Sequence, residues 1–200
     1  MDWSQLLNSA FWWAIFGISH SVLASHKLKS KLPLKGQAFR ILYNILATVI
    51  LLLVLTHQPS IMGLLKDGFA LKGLHLMLFL LIFLIGLIVG ALGLIAWNIP
   101  AFLGLEPEQL KLDVKGIYAF CRHPVYTSAL ILFSSVLVLG ISANTLSWLL
   151  GAGGYFVIGT IFEEKNLNAY FEEYSSYRSN VGRFFPWRMS HVNYLVQNYR

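Results

Sequence analysis

The sequence predicts an all-α, polytopic membrane protein with five transmembrane helices in a single membrane domain, residues 1–200. Of its residues, 56% are hydrophobic and only 12% are charged, whereas about 25% are charged in a typical soluble domain. The apolar residues fall in long runs without formal charge, and the basic residues gather between those runs. These observations exclude an ordinary soluble globular domain.

The first three predicted spans are separate apolar runs. Residues 3–25 contain no Asp, Glu, Lys or Arg, which is enough to cross a hydrocarbon core of about 30 Å at about 1.5 Å per residue. A shorter run, 41–56, follows Arg40, and a third run covers 73–97. The first run lacks the basic flank of a cleavable signal peptide, so we expect it to stay in the bilayer.

The fourth and fifth predicted spans share one long run. The 39 residues from Pro124 to Phe162 carry no formal charge, roughly twice the length that one span needs. A turn-like sequence, Gly-Ile-Ser-Ala-Asn at 140–144, lies near the middle. We therefore expect a tight hairpin with spans at 124–141 and 145–162.

A segment after the last span, residues 163–186, is predicted to cover a cofactor site. Within it, residues 165–178 have helical spacing, with apolar and aromatic residues on one side. This pattern predicts a cytoplasmic interfacial helix that carries Leu167, Tyr170, Phe171, Tyr174 and Tyr177.

The basic residues predict the orientation, because Lys and Arg near span ends are retained in the cytoplasm. With five spans, 13 of the 15 basic residues fall on one side, and only Lys66 and Lys72 fall on the other. We therefore expect the amino terminus outside and the carboxyl terminus in the cytoplasm. The net charge of +6 is then explained by anionic lipid headgroups, and we expect no nucleic-acid partner.

A lone cysteine, Cys121, excludes an internal disulfide and a multi-thiolate metal site, and we expect no metal. We interpret Cys121 as a packing residue, because no base is placed beside it. His20 lies inside span one, where an ionisable residue is a candidate for function, although Ser19 and Ser21 could satisfy it. Three glycines in span three, Gly86, Gly90 and Gly93, are typical of close helix packing.

The first polar cluster, Gly116 to Tyr126, joins a loop to span four. Pro124 suits the first turn of a helix, whose free N–H groups and positive dipole end, next to Arg122, would favour a carboxylate or phosphate. Tyr118, His123 and Tyr126 add aromatic faces that could hold an adenine or a cation.

The second polar cluster begins with Glu163 and Glu164 at the end of span five. A carboxylate at membrane depth needs a partner, and a cationic ligand would be a natural one. Adjacent helical residues point about 100° apart, so we expect only one of the two to face the site. Because both clusters lie at the same predicted boundary, we expect them to form one pocket.

Together the clusters resemble the isoprenylcysteine carboxyl methyltransferase superfamily, which includes phospholipid methyltransferases. The similarity lies in Gly-x-Tyr-x-x-x-Arg-His-Pro-x-Tyr at 116–126, Glu-Glu-x-x-Leu at 163–167, and Glu-x-Tyr-x-x-Tyr-x-x-x-Val-x-Arg-x-x-Pro at 173–186. The resemblance implies a cytoplasm-facing site for S-adenosylmethionine and a lipophilic acceptor that arrives from the bilayer. The implied cofactor residues are Tyr118, His123, Pro124, Tyr126, Glu163, Glu164 and Tyr174, and Arg122 and Arg183 are the implied catalytic cations that act on the acceptor.

The amino-terminal half is similar to the NnrU-like and methanethiol S-methyltransferase branches, in His20-Ser21-x-x-Ala24-Ser25, residues 40–44 and residues 102–105. The acceptor is then a small thiol, a prenylcysteine-type carboxylate or a lipid, and the sequence does not choose among them. Two further hypotheses stay open. One is a non-catalytic NnrU-like membrane protein, and the other is an NADPH-dependent enzyme like the sterol reductases.

Overall fold

A computed structural model of the chain describes residues 2–24, 28, 33, 36–96, 99–103, 105–106, 112 and 114–186. Within these ranges the protein is all-helical, apart from one isolated backbone bridge. A 3₁₀ turn, Gly116–Ala119, lies between the fifth and sixth helices. The helices are α1 Trp3–Ala24, α2 Gly36–Thr56, α3 Ile61–Phe69, α4 Gly73–Ile95, α5 Ile99–Leu103, α6 Pro124–Leu139, α7 Ala143–Tyr170 and α8 Tyr174–Asn180.

Four helices in the described part of the chain, α1, α2, α4 and α7, are long and apolar enough to cross a membrane. Large hydrophobic side chains are exposed on all four, as expected for surfaces that face lipid. The protein is therefore an integral membrane protein. Helix α6 is apolar but shorter; its length of about 24 Å is less than the roughly 30 Å hydrocarbon core. A fifth span at α6 thus stays a prediction.

The helix boundaries follow the sequence pattern closely. Helices α1 and α4 begin at the predicted positions, Trp3 and Gly73, and the predicted ends at 25 and 97 lie outside the described residues. Helix α2 begins five residues earlier than expected, at Gly36. Gly36 has a φ of 60°, in the left-handed region that glycine tolerates, so the regular helix extends back to this residue and includes Arg40.

The predicted orientation is not tested by the structure and stays a prediction. Several of the basic residues that carry it lie outside the described residues, namely Lys27, Lys29, Lys31, Lys35, Lys111, Arg188 and Arg200.

The turn between α6 and α7 is the predicted hairpin. Gly140 has a φ of 100°, and Ser142 caps α7 by accepting a hydrogen bond from the Thr145 amide while Thr145 Oγ1 accepts one from the Ser142 amide. Reciprocal bonds of this kind satisfy donors at the start of a helix. The two apolar helices are therefore antiparallel neighbours.

Helix α7 passes through Glu163 and Glu164 and ends only at Tyr170. Residues 164–170 include no glycine or proline, so nothing in the local sequence interrupts the helix before Tyr170. The backbone becomes extended at Phe171, and a short separate helix, α8, follows. The region predicted as one interfacial helix is thus divided between the end of α7 and α8.

The apolar core lies between α1, α2, α3, α6 and α7. Trp148 stacks on Phe133 with ring centroids 5.6 Å apart, and its indole nitrogen donates to the Pro59 carbonyl at 3.0 Å. This bond ties α7 to the loop before α3. The buried members of the core are Trp13, Phe16, Val54, Leu64, Val136, Trp148 and Ala152.

Helices α4 and α6 pack closely through the glycines that the sequence analysis singled out. A Cβ on Gly90 would lie 2.5 Å from Ser128 Oγ, and one on Gly93 would lie 2.9 Å from a methyl of Val125. Ser128 donates to the Gly86 carbonyl at 2.8 Å. The expected role of these glycines in helix packing is confirmed, and the contact fixes the start of α6, where the first polar cluster lies.

Candidate functional site

Two segments that are distant in sequence meet at the start of α6. The Arg122 amide donates to the Gly182 carbonyl at 3.0 Å, and the His123 amide donates to the Arg183 carbonyl at 3.2 Å. Cys121 and Gly182 form the isolated parallel bridge. The backbone of the first polar cluster is thus paired directly with the segment after α8.

The local sequence explains why this junction forms. Pro124 occupies the first turn of α6, where its missing N–H is not needed. Thr127 Oγ1 lies 2.9 Å from the His123 carbonyl and 3.2 Å from the Phe184 carbonyl, so its hydroxyl can donate to either. At Gly182, a Cβ would lie only 1.8 Å from the Phe185 carbonyl oxygen. Only glycine fits this turn.

The Glu164 carboxylate lies at the centre of a buried ion-pair network, and its side chain is only 2% exposed. Arg122 donates to Oε1 through Nε at 3.0 Å and Nη2 at 2.5 Å. Arg183 donates to Oε1 at 3.1 Å and to Oε2 at 2.9 Å. His123 Nε2 lies 3.2 Å from Oε1, and Arg178 Nε lies 3.6 Å from Oε2. Glu164 therefore joins α7 to both polar segments.

The Arg122 guanidinium is fully engaged in this network. Besides Glu164, it donates to the carbonyl of Arg178 at 3.1 Å and to the carbonyl of Val181. Bidentate and charge-assisted bonds of this kind are among the strongest in proteins. The two arginines that were expected to act on an acceptor, Arg122 and Arg183, both bind the same buried carboxylate.

The neighbouring glutamate, Glu163, faces outward into a cleft. Its side chain is 43% exposed, yet its Oε2 atom is buried and accepts no hydrogen bond from the described residues. His123 Nδ1 lies 3.6 Å from this oxygen. The cleft is small, with an enclosed volume of about 40 Å³. It is lined by Tyr118, Arg122, His123, Pro124, Val125, Tyr126 and Glu163.

Aromatic rings form one wall of this cleft. The His123 and Tyr126 rings are almost parallel, with an angle of 4° and centroids 5.6 Å apart. Tyr126 also contacts Phe156 of α7 at 5.3 Å. A carboxylate beside flat aromatic faces suits a cationic group carried by a planar ligand.

His123 lies between the two carboxylates and is 5% exposed. Burial alone lowers the pKa of His123, but the hydrogen bond with Glu164 and the negative charges of Glu163 and Glu164 outweigh burial and raise the pKa above its usual value. The imidazole therefore stays protonated to a higher pH than a free histidine would.

Tyr174 packs beneath the surface and does not line the cleft. It is fully buried with Tyr177 and Val181, and burial raises its pKa to about 12. Tyr177 donates to the Tyr118 carbonyl at 2.6 Å, which connects α8 to the 3₁₀ turn. These side chains give the α8 segment an apolar core of its own.

Cys121 is 5% exposed, and burial raises the pKa of its thiol. A buried, protonated thiol is a poor nucleophile. No group of three or more His, Cys, Asp or Glu side chains that could hold a metal ion occurs among the residues that the structure describes.

Six of the nine predicted site residues line the cleft: Tyr118, Arg122, His123, Pro124, Tyr126 and Glu163. Glu164 and Arg183 lie in the ion-pair network, and Tyr174 packs in the α8 segment. The sequence analysis missed Gly182, Arg178 and Thr127. Of these three, only Gly182 carries a signal in the sequence, because glycine often marks a turn.

Two curated relatives share part of the sequence. The methanethiol S-methyltransferase of Mycobacterium tuberculosis is 27% identical over 93 residues, which cover 46% of this chain and 37% of the relative. Methanethiol S-methyltransferase 1 of Bradyrhizobium diazoefficiens is 30% identical over 88 residues, which cover 44% of this chain and 30% of the relative. The chain thus matches about a third of the length of these proteins.

No protein-family model matches the chain. No solved structure matches it either.

Proposed function

We propose that the protein is an integral membrane methyltransferase that uses S-adenosylmethionine and transfers its methyl group to a lipophilic acceptor. The observation that carries the proposal is the Glu163 carboxylate, whose buried oxygen accepts no hydrogen bond within the described residues, beside the stacked rings of His123 and Tyr126. The names of the two similar proteins support the same class of reaction.

The residues of the cleft fit this cofactor in their chemistry. S-Adenosylmethionine carries a positively charged sulfonium and a planar adenine, and it supplies the electrophilic methyl group when bound. Glu163 would hold the cation, and Tyr118, His123 and Tyr126 would hold apolar or aromatic parts. At about 40 Å³, the cleft is far smaller than the about 300–1,000 Å³ of sites that enclose a drug-sized ligand, so it would enclose only part of the nucleotide.

The buried network gives the remaining predicted residues a positioning role. Glu164 is neutralised by Arg122 and Arg183, and the network holds His123 beside Glu163 in the cleft. Methyl transfer needs orientation and exclusion of water more than proton transfer at the cofactor. A rigid junction at the membrane boundary would supply both.

In this proposal, the methyl acceptor reaches the site from the bilayer. Both guanidinium groups that could hold a carboxylate are bound to Glu164, which disfavours a prenylcysteine-type carboxylate at this position. The two similar proteins are methanethiol S-methyltransferases by name, which favours a small thiol. Radiolabelled methyl donor, offered with alkanethiols, prenylcysteine analogues and phospholipids, would identify the acceptor.

Calorimetric titration of the detergent-purified protein tests the cofactor assignment. We expect saturable binding of S-adenosylmethionine and S-adenosylhomocysteine, weaker binding of the former in Glu163→Gln, and no change in Glu172→Gln, which alters an exposed glutamate. Binding of NADPH alone would support a reductase. Binding of none of the three would support a non-catalytic protein.

A further inference from the structure

A second polar cluster lies inside the helical bundle, away from the cleft. The hydroxyl of Tyr43 on α2 is hydrogen-bonded to Nε2 of His20 on α1. The hydroxyl of Tyr155 on α7 lies 3.5 Å from Nδ1 of the same imidazole. Three helices therefore each contribute one polar side chain to a single point. Ionisable groups in transmembrane helices are rare and usually functional.

The positions of these residues place the cluster on the membrane side of the cleft. Tyr155 precedes Glu163 by eight residues on α7, or about 12 Å along the helix axis. His20 lies four residues before the end of α1, and Tyr43 lies seven residues after the start of α2. His20 and Tyr43 thus lie roughly 6–10 Å inside their helix ends, and Tyr155 lies about 12 Å before the glutamate of the cleft.

A row of aromatic rings connects the cluster to the cleft. Tyr126, which lines the cleft, contacts Phe156 at 5.3 Å between centroids, and Phe156 contacts Tyr155 at 5.3 Å. Tyr155 meets His20 at 6.1 Å. The row of rings therefore runs from the cluster to the wall of the cleft.

The polar partners of the cluster indicate what it can bind. The hydrogen-bonding partners of His20 in the described part of the chain are two neutral tyrosines, and no cation there would neutralise a carboxylate or a phosphate. Arg40, one turn before Tyr43, has an interaction of its own. Phe16 packs against Tyr155 at 4.9 Å. Aromatic walls with one neutral imidazole suit a small apolar molecule with a weakly acidic S–H.

We propose that His20 is the base that deprotonates a thiol acceptor, and that Tyr43 and Tyr155 position its ring. This inference depends on the proposed methyltransferase function. In the tautomer that this role requires, Nε2–H donates to the Tyr43 oxygen, and Nδ1, 3.5 Å from the Tyr155 hydroxyl, carries the lone pair that accepts the proton, since the hydrogen bond of one nitrogen sets the state of the other.

The atoms balance in one transfer. The thiol proton passes to Nδ1 of His20, and a sulfur electron pair forms the new bond to the methyl carbon. The bond from that carbon to the sulfonium of the methyl donor breaks, and its electron pair stays on the donor sulfur as a neutral thioether. The positive charge therefore moves to His20, which returns its proton to water.

The test compares two thiols of different acidity. An alkanethiol such as ethanethiol needs a base to form its thiolate, whereas 4-nitrothiophenol is already a thiolate at neutral pH, and the thiolate is the nucleophile. Replacing His20→Gln keeps a polar side chain but removes the basic nitrogen. We expect about a 10²- to 10⁴-fold loss of kcat with ethanethiol, a loss of less than about tenfold with 4-nitrothiophenol, and unchanged affinity for S-adenosylmethionine.

The control is His75→Ala, which alters an exposed histidine at the start of α4 and should leave both rates unchanged. If His20→Gln does not fold, Tyr43→Phe replaces it in the test. In Tyr43→Phe, kcat should also fall more with ethanethiol than with 4-nitrothiophenol, but by less than the loss of the base would cause. Equal losses for the two thiols, or no loss, would overturn the role of His20. If the unmodified protein neither binds S-adenosylmethionine nor methylates any acceptor, the proposed function fails instead.

Discussion

The two adjacent glutamates should behave in opposite ways when each is replaced by glutamine. Glu164 is 2% exposed and accepts bonds from Arg122, Arg183 and His123. Removing the charge of a buried, paired carboxylate leaves its partners uncompensated and typically costs about 3–5 kcal/mol. Glu163 is 43% exposed and accepts no hydrogen bond at Oε2 from the described residues, so its replacement should cost little stability.

The loss of stability in Glu164→Gln should appear as more frequent local opening of the junction between the two polar segments. The amides of Arg122 and His123 donate to the carbonyls of Gly182 and Arg183, so their hydrogen exchange reports whether the two segments stay paired. A cost of about 3–5 kcal/mol corresponds to exchange that is faster by roughly 10² to several 10³. Hydrogen-exchange mass spectrometry of the peptide that covers residues 120–123 measures this change.

Glu163→Gln is the matched control, because it makes the same chemical change one residue earlier. We expect its exchange at residues 120–123 to stay within about fivefold of the unmodified protein, since exposed pairs contribute only about 0–1 kcal/mol. If Glu164→Gln exchanged as slowly as Glu163→Gln, the ion-pair network would not hold the junction, and the reasoning from burial would be refuted.

Three further predictions follow from packing and protonation. Gly90→Ala should destabilise the protein by about 1–3 kcal/mol, because the new Cβ would lie 2.5 Å from Ser128 Oγ. Gly154→Ala should not destabilise it, because a Cβ at Gly154 would meet no atom within 4 Å. Thermal unfolding of the two variants in detergent measures the difference. The carboxylates raise the pKa of His123, so protonated His123 stabilises the folded protein. This stabilisation is complete below about pH 6.5 and is lost as the pH rises through the higher pKa of the folded state. Unfolding temperatures should therefore fall as the pH rises through this higher pKa, and His123→Gln should remove the fall. The buried thiol of Cys121, whose pKa is raised by burial, should react with iodoacetamide only after unfolding, and fast labelling of the folded protein would contradict the fold at this position.

The sequence predicted most of the helices because their apolar runs are long and free of charge. Helices α1, α2, α4 and the α6–α7 hairpin follow directly from charge-free length and from one glycine-containing turn. The short helix α3 and the continuation of α7 beyond Glu164 were not predicted. Helix α3 depends on tertiary contacts, because its Leu64 is buried in the core. Helix α7 can continue because its local sequence has no helix breaker and because Arg122 and Arg183 neutralise Glu164.

The site was predicted as a set of residues but not as an arrangement. Charge and aromatic character singled out the two clusters, and the structure brings His123 and Glu164 within 3.2 Å. Helical geometry predicted that only one glutamate would face the cleft, but it could not choose between them. That choice depends on Arg122 and Arg183, which approach Glu164 from different segments. Neither the role of Gly182 nor the meeting of His20 with Tyr43 leaves a periodic signal in the sequence.

The central claim is that Glu163 recognises the positive charge of a sulfonium cofactor. S-Adenosylmethionine and S-adenosylhomocysteine differ at sulfur by one methyl group and one charge, so the ratio of their dissociation constants isolates that recognition. We predict that Glu163→Gln weakens binding of the charged compound by about tenfold, or about 1.4 kcal/mol, and leaves binding of the neutral one within about twofold. An unchanged ratio would contradict the assignment of Glu163 and the account built on this cleft.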